Sequence, residues 1–283
     1  MFTNWVFIVI LYLVFAVIFA QTYKLATKNM KSAGALTVLA EGFAGIFALL
    51  LIPFFEIKFP SNIWVYIFLG LACVFYALND RLSTTVRSGV EASTFSMIKQ
   101  SKTVFMILAG LLFFKDPFVL NKVIGAFLIV ISNILVFYKK GSYKSNKYVW
   151  LGVLASVFQT IAAFIDVNYS RDFNLPFYVS MTLLLPAFLI FIFDRVKVKD
   201  LILEYKSINK KAIFTVGISW PIMMTLNLYA YQLGKVSIIA PLCSLVAILN
   251  VIVGYIFLKE RTRLPQKLIA AILIVIGIVL IKL

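Results

Sequence analysis

Stretches of about 20 apolar residues recur from one end of the chain to the other, separated by short polar segments. Each is long enough to cross a bilayer as an α-helix, because a hydrocarbon core of about 30 Å needs about 20 residues at about 1.5 Å each. The pattern predicts ten spans, at 4–23, 33–55, 62–78, 92–114, 121–138, 148–170, 175–193, 212–232, 236–258 and 266–282. One longer connection, 194–211, sets Leu201, Ile202 and Leu203 among charges and is read as holding a short interfacial helix.

The chain repeats itself. FFKDPFVLNKVIGAFLIVI (113–131) aligns with FLKERTRLPQKLIAAILIVI (257–276), allowing one inserted residue. From Lys122 and Lys267 onward, seven of ten positions are identical. The expected fold is therefore an all-α membrane protein of ten transmembrane helices in two five-helix repeats, residues 1–140 and 141–283. Five is odd, so the second repeat must run opposite to the first. Inverted repeats of this kind are a transporter signature, with the substrate site near mid-membrane between the halves.

Composition agrees: 63% of residues are hydrophobic and the mean hydropathy is +1.01. A net charge of +16 would suit nucleic acid, but the basic residues are scattered over short loops between apolar helices. Lys24, Lys28 and Lys31 follow the first span and none precedes it, which argues against a cleaved signal peptide. Nineteen of the 27 basic residues, Arg81 and Arg87 among them, fall in the odd-numbered loops, and six in the even loops and termini. That bias predicts a multi-pass protein of the plasma (bacterial inner) membrane, with odd loops cytoplasmic and both termini outside. Histidine is absent, which removes His metal sites, Ser-His-Asp triads and His relays. Cys73 and Cys243 lie in apolar runs and read as buried small residues. No catalytic residue, metal or cofactor is expected, and the chain is not read as an enzyme.

The misfits are polar residues inside spans. If the fourth span began after Lys102, only 12 residues would remain before Lys115, about 18 Å of helix. The helix is therefore expected to run unbroken from Ala92, with Lys99 and Lys102 on one face beside Phe95 and Met106. A lysine near the bilayer centre costs about 2.5–3.5 kcal/mol and belongs at a cavity or beside an acid. Glu41 lies at matching depth in the second span, and a Glu41–Lys99 ion pair is expected, leaving Lys102 for substrate. Gln159, Asn227 and Tyr231 are further candidates to orient a ligand, while Asp166 is read as interfacial. Pro186 and Pro221 mark kinks, and Gly42, Gly45, Gly110 and Gly254 mark close helix contacts.

The joined third and fourth spans, YALNDRLSTTVRSGVEASTFSMIKQSK, resemble the drug/metabolite transporter superfamily. YAYQLGKVSIIAPLCSLVAILNVIVGYIFLKERT resembles its EamA-type metabolite exporters. Lys259-Glu260-Arg261 matches in part the apolar-Gly-Glu-Arg segment that closes their ninth span, and Lys115-Asp116 matches more loosely. Thr94, Phe95, Gln100 and Lys102 also match a pattern of the nucleotide-sugar transporters, with Ser96 and Lys99 departing from it. That branch's lysine in the ninth span has no counterpart among Cys243, Ser244, Leu245, Val246 and Ala247.

The resemblance implies a secondary transporter working by alternating access, with Lys102 facing the central cavity. Its substrate is expected to be a small polar metabolite, anionic or zwitterionic. A nucleotide or nucleotide-sugar exchanger and a flippase of lipid-linked headgroups are the alternatives. The expected partners are the lipid bilayer, the small-molecule substrate and a coupled proton or counter-substrate, with the protein a monomer or homodimer.

Overall fold

A computed structural model describes residues 5–102, 104–105, 119–137, 147–233, 239, 242–243, 245–260 and 263–282. These residues form helices and connections, without a strand among them. The α-helices are α1 (Trp5–Ala26), α2 (Ala33–Leu50), α3 (Ile63–Gly89), α4 (Ala92–Lys99) and α5 (Leu120–Phe137), followed by α6 (Lys147–Tyr169), α7 (Leu175–Phe193), α8 (Val198–Ser207), α9 (Lys210–Leu233), α10 (Val246–Phe257) and α11 (Leu264–Lys282).

Local chemistry sets many of the boundaries. Ser32 caps α2 by accepting the N–H of Ala35, Asn62 caps α3 through Trp64, and Asn174 caps α7 through Phe177. Pro176 follows in the first turn of α7, where its missing N–H costs nothing. Both α7 and α9 continue through their internal prolines, Pro186 and Pro221. The expected helix in 194–211 is α8, with Ile202 and Leu203 on its exposed side. Asp200 closes its first turn by accepting the Lys197 N–H at 2.9 Å.

Six of these helices are long and apolar enough to cross a membrane: α1, α2, α3, α6, α7 and α9. Shorter apolar helices lie within α5, α10 and α11. Their outer faces carry large hydrophobic residues in the open, among them Ile46, Phe127, Phe188, Phe193, Phe214 and Ile256. An apolar surface of this extent suits lipid rather than water.

Two departures from expectation matter for function. The third span does not end at 78. It continues as helix to Gly89 and so takes in Asp80, Arg81 and Arg87, the last two assigned above to a loop. The fourth span is not one unbroken helix: a turn at Gln100 separates α4 from a helical stretch that resumes at Ser101, and residues 106–118, with Met106 and Gly110, lie outside the described residues.

The packing pairs are reciprocal between the two parts of the chain. α1 packs along α9 as α6 packs along α3; α3 contacts α7 as α9 contacts α2; α1 meets α10 as α6 meets α4. α2 with α7, α4 with α10 and α5 with α11 complete the set. Small residues let the axes approach. A Cβ on Gly277 of α11 would stand 2.7 Å from the Gly125 carbonyl of α5, and one on Gly45 of α2 would stand 2.5 Å from Leu184 of α7. Gly42 has open space instead, so its expected role as a contact glycine is not met.

Candidate functional site

Five helices turn a polar or aromatic stripe toward a common cavity of about 220 Å³. The spacing of three and four residues puts each stripe on one helix face. α3 supplies Tyr76, Asn79, Asp80, Ser83 and Arg87; α4 supplies Phe95, Lys99 and, past the turn, Lys102. α6 adds Gln159 and Asp166, α9 adds Trp220, Asn227 and Tyr231, and α1 adds Tyr12, Phe19 and Tyr23. Five of the six sequence candidates therefore meet here: Lys99, Lys102, Gln159, Asn227 and Tyr231. Glu41 does not line the cavity.

The break in α4 lies between the two lysines. Gln100 N–H closes a tight turn on the Met97 carbonyl at 3.0 Å. Two hydroxyls one turn apart on α6 reach carbonyls either side of it: Ser156 donates to Ile98 at 3.5 Å and Thr160 to Lys102 at 3.4 Å. Non-helical backbone at membrane depth is tolerated where protein or a wet cavity satisfies it.

The expected Glu41–Lys99 ion pair is not formed. The Lys99 ammonium donates to Asn79 Oδ1 at 2.5 Å, and Asn79 Nδ2 donates to Asp80 Oδ1 at 2.6 Å. Glu41 is fully buried behind this stripe, and neither of its carboxylate oxygens has a hydrogen-bond partner. Asp80 stands where Glu41 was expected, and reaches Lys99 through Asn79.

Asp166, expected near the outer end of its span, faces the protein interior. It is buried, accepts the Tyr178 hydroxyl at 2.8 Å and the Tyr76 hydroxyl, and thus ties α6 to α7 and α3 beside the cavity. It is the acid whose charge acts on Lys102. Asn227 donates to Cys243 Sγ at 3.7 Å, so Cys243 is a buried free thiol, as is Cys73.

Arg87 forms one wall that the sequence reading missed altogether. Its guanidinium carbon lies 4.0 Å from the Phe95 ring centroid and 4.8 Å from those of Phe19 and Tyr23. Trp220 closes the group, at 5.0 Å from Phe19 and 5.7 Å from Tyr23. Arg87 Nε and Nη1 have no hydrogen-bond partner, although the residue is buried. Three cations, Arg87, Lys99 and Lys102, thus share the cavity with two carboxylates, Asp80 and Asp166.

Below the cavity, on the side of the odd-numbered loops, acids seal helix ends. Glu260 accepts the N–H of Ala92 and Ser93 at the start of α4, and Lys267 pairs with Glu91 beside it. Glu204 of α8 likewise accepts the N–H groups of Lys31 and Ser32 at the start of α2. Burial pushes the Glu204 carboxyl above its ordinary range, while those N–H groups and the Lys31 charge pull it back. Lys24 bonds the Arg87 carbonyl at 2.7 Å on the same side.

Apolar outer faces around an internal cavity that carries charged side chains suit an integral, polytopic membrane protein. Residues 146–283, just under half of the chain, match the model of the EamA-like transporter family, which supports membership of the drug/metabolite transporter superfamily. A stretch of 88 residues is 35% identical to an uncharacterized protein of Methanocaldococcus jannaschii, covering 29% of this chain and 64% of that one. The chain thus spans a little under two thirds of that relative's length. A protein of known crystal structure shares the fold, with a TM-score of 0.54 over 98% of both chains at 14% identity. Members of the EamA-like family are membrane transporters of small molecules.

Proposed function

We propose that the protein is a secondary transporter of a small polar metabolite, anionic or zwitterionic, working by alternating access between two inverted five-helix halves. The observation that carries this reading is the charge of the cavity. Three cations and two carboxylates line a space whose walls come from α1, α3 and α4 of the first half of the chain and α6 and α9 of the second. Charged groups inside a membrane protein are costly and mark substrate or ion pathways. The reciprocal packing of α1–α9 with α6–α3, and of α3–α7 with α9–α2, supports the two-half architecture.

Lys102 and Lys99 meet the anionic group of the substrate, with Arg87 beside them among the rings of Phe19, Tyr23 and Phe95. Gln159, Asn227 and Tyr231 orient its remaining polar atoms. The cavity is smaller than the roughly 300–1,000 Å³ of sites for drug-sized ligands, which favours a small metabolite over a nucleotide sugar or a lipid-linked headgroup. The odd-numbered loops face the cytoplasm in the plasma membrane, following the remaining charge bias. The protein works there as a monomer or a homodimer.

Thermal-shift screening of purified protein against pools of carboxylated and phosphorylated metabolites tests the reading. A true ligand at about a hundred times its dissociation constant stabilises by about 2.7 kcal/mol. That stabilisation should vanish in Lys102→Met. A ligand that stabilises the variant as well as the parent would remove Lys102 from the site.

A further inference from the structure

Glu41 is a carboxyl group that the transport reading does not use. It is fully buried, and neither oxygen has a hydrogen-bond partner. Its neighbour is the carboxyl of Asp80: the Thr37 hydroxyl of α2 donates to Thr84 of α3 at 2.7 Å, and one turn along these antiparallel helices sets Glu41 beside Asp80, the charge that acts on it. Asp80 in turn lines the cavity and is tied to Lys99 through Asn79.

Other groups near Glu41 do not supply a balancing charge. α1 brings Tyr23, whose hydroxyl lies 2.8 Å from Thr84. α3 brings Cys73 and Asp80, with Arg87 farther along and held among aromatic rings. α4 brings Lys99, which acts on Asp80. α7 and α9 pack on α2 through apolar residues, and the Ser180 hydroxyl of α7 is itself unpartnered. Asp194, Arg81 and Glu204 sit at the N-terminal turn of α2, away from Glu41.

Two adjacent carboxyls in a low-dielectric interior, where Lys99 and Arg87 act on Asp80 and no cation acts on Glu41, cannot both stay ionised. We infer that Glu41 and Asp80 form a proton-binding site, and that its occupancy is set by Lys99. With the cavity empty, Lys99 balances Asp80 and the single proton resides on Glu41. An anionic substrate that engages Lys99 withdraws this balance, and Asp80 takes up a second proton from the cavity. Anion and proton then bind together and move in the same direction, as an electroneutral pair. This deepens the transport reading and rests on it for the direction of coupling, but the proton site itself stands or falls separately.

Infrared spectroscopy of the protein in lipid membranes at neutral pH tests the site without any substrate. The parent protein should show a protonated-carboxyl band that shifts on labelling with isotopic glutamate and disappears in Glu41→Gln. Should Glu41→Gln fail to fold, the isotope shift in the parent protein decides alone. Lys99→Met mimics the loss of balancing charge and should roughly double the band, the added part disappearing in Lys99→Met/Asp80→Asn. A band that ignores glutamate labelling, or equal bands in the parent and Lys99→Met, would overturn the inference. A protein that shows all these bands yet moves no solute in vesicles would instead overturn the transport reading.

Discussion

Glu260 holds Ser93. The Glu260 carboxylate, just past α10, accepts the Ser93 hydroxyl at 2.5 Å and the N–H groups of Ala92 and Ser93 at 2.6 and 3.2 Å. It thereby satisfies the open donors at the start of α4 and sets a negative charge on the positive helix end. The helix it holds carries Lys99 to the cavity. A residue of the second half thus positions the charged element of the first.

Glu260→Ala should lower unfolding stability by about 2–3 kcal/mol, because it strands buried donors that a charged acceptor satisfied. Glu260→Gln should cost less, since its amide oxygen still accepts. Gly254→Ala should imitate part of the effect, because a Cβ there would stand 2.8 Å from Glu260 Oε2. Thermal unfolding of the three variants in one detergent gives the ranking.

Arg87 is a cation held by rings rather than by an acid. Such contacts contribute about 0.5–2 kcal/mol, and they use the planar guanidinium face. Arg87→Lys should therefore behave like Arg87→Met, with ligand affinity reduced about 10–100-fold and no rescue by the retained charge. Thermal-shift titration of the two variants against the same ligand makes the comparison; near-parental affinity in Arg87→Lys would mean that charge alone suffices.

The glycines divide by what surrounds them. Gly277→Ala should destabilise by about 1–3 kcal/mol, because its Cβ would meet the backbone oxygen of Gly125, which cannot yield cheaply. Gly42→Ala has open space and should be neutral or stabilising by up to about 1 kcal/mol. Paired unfolding measurements on these two variants separate a packing glycine from a spectator.

Much of this was legible in the sequence. α7 spans 175–193 as the apolar pattern predicts, because Asn174 and Pro176 announce its start and Asp194 its end. The lysines of FSMIKQSK do reach the cavity. Three features were not legible, each for a physical reason. The polar stripe of α3 beyond residue 78 was read as loop because charges usually end spans, although Asn79, Asp80, Ser83 and Arg87 continue the helical spacing from Tyr76. The turn at Gln100 leaves no mark in a periodic pattern, since the residues on both sides keep helical backbone. The environment of Asp166 depends on hydroxyls of Tyr76 and Tyr178 from two other helices, which only the tertiary packing brings near.

The central claim is that a solute crosses the membrane through the cavity by way of Lys102. Its most direct test is uptake, by protein reconstituted into sealed vesicles, of the ligand that gives the largest thermal shift. Uptake that saturates, and that falls to the protein-free background in Lys102→Met while the variant stays folded in the vesicles, is the predicted result. Uptake by Lys102→Met at the parental rate would contradict it.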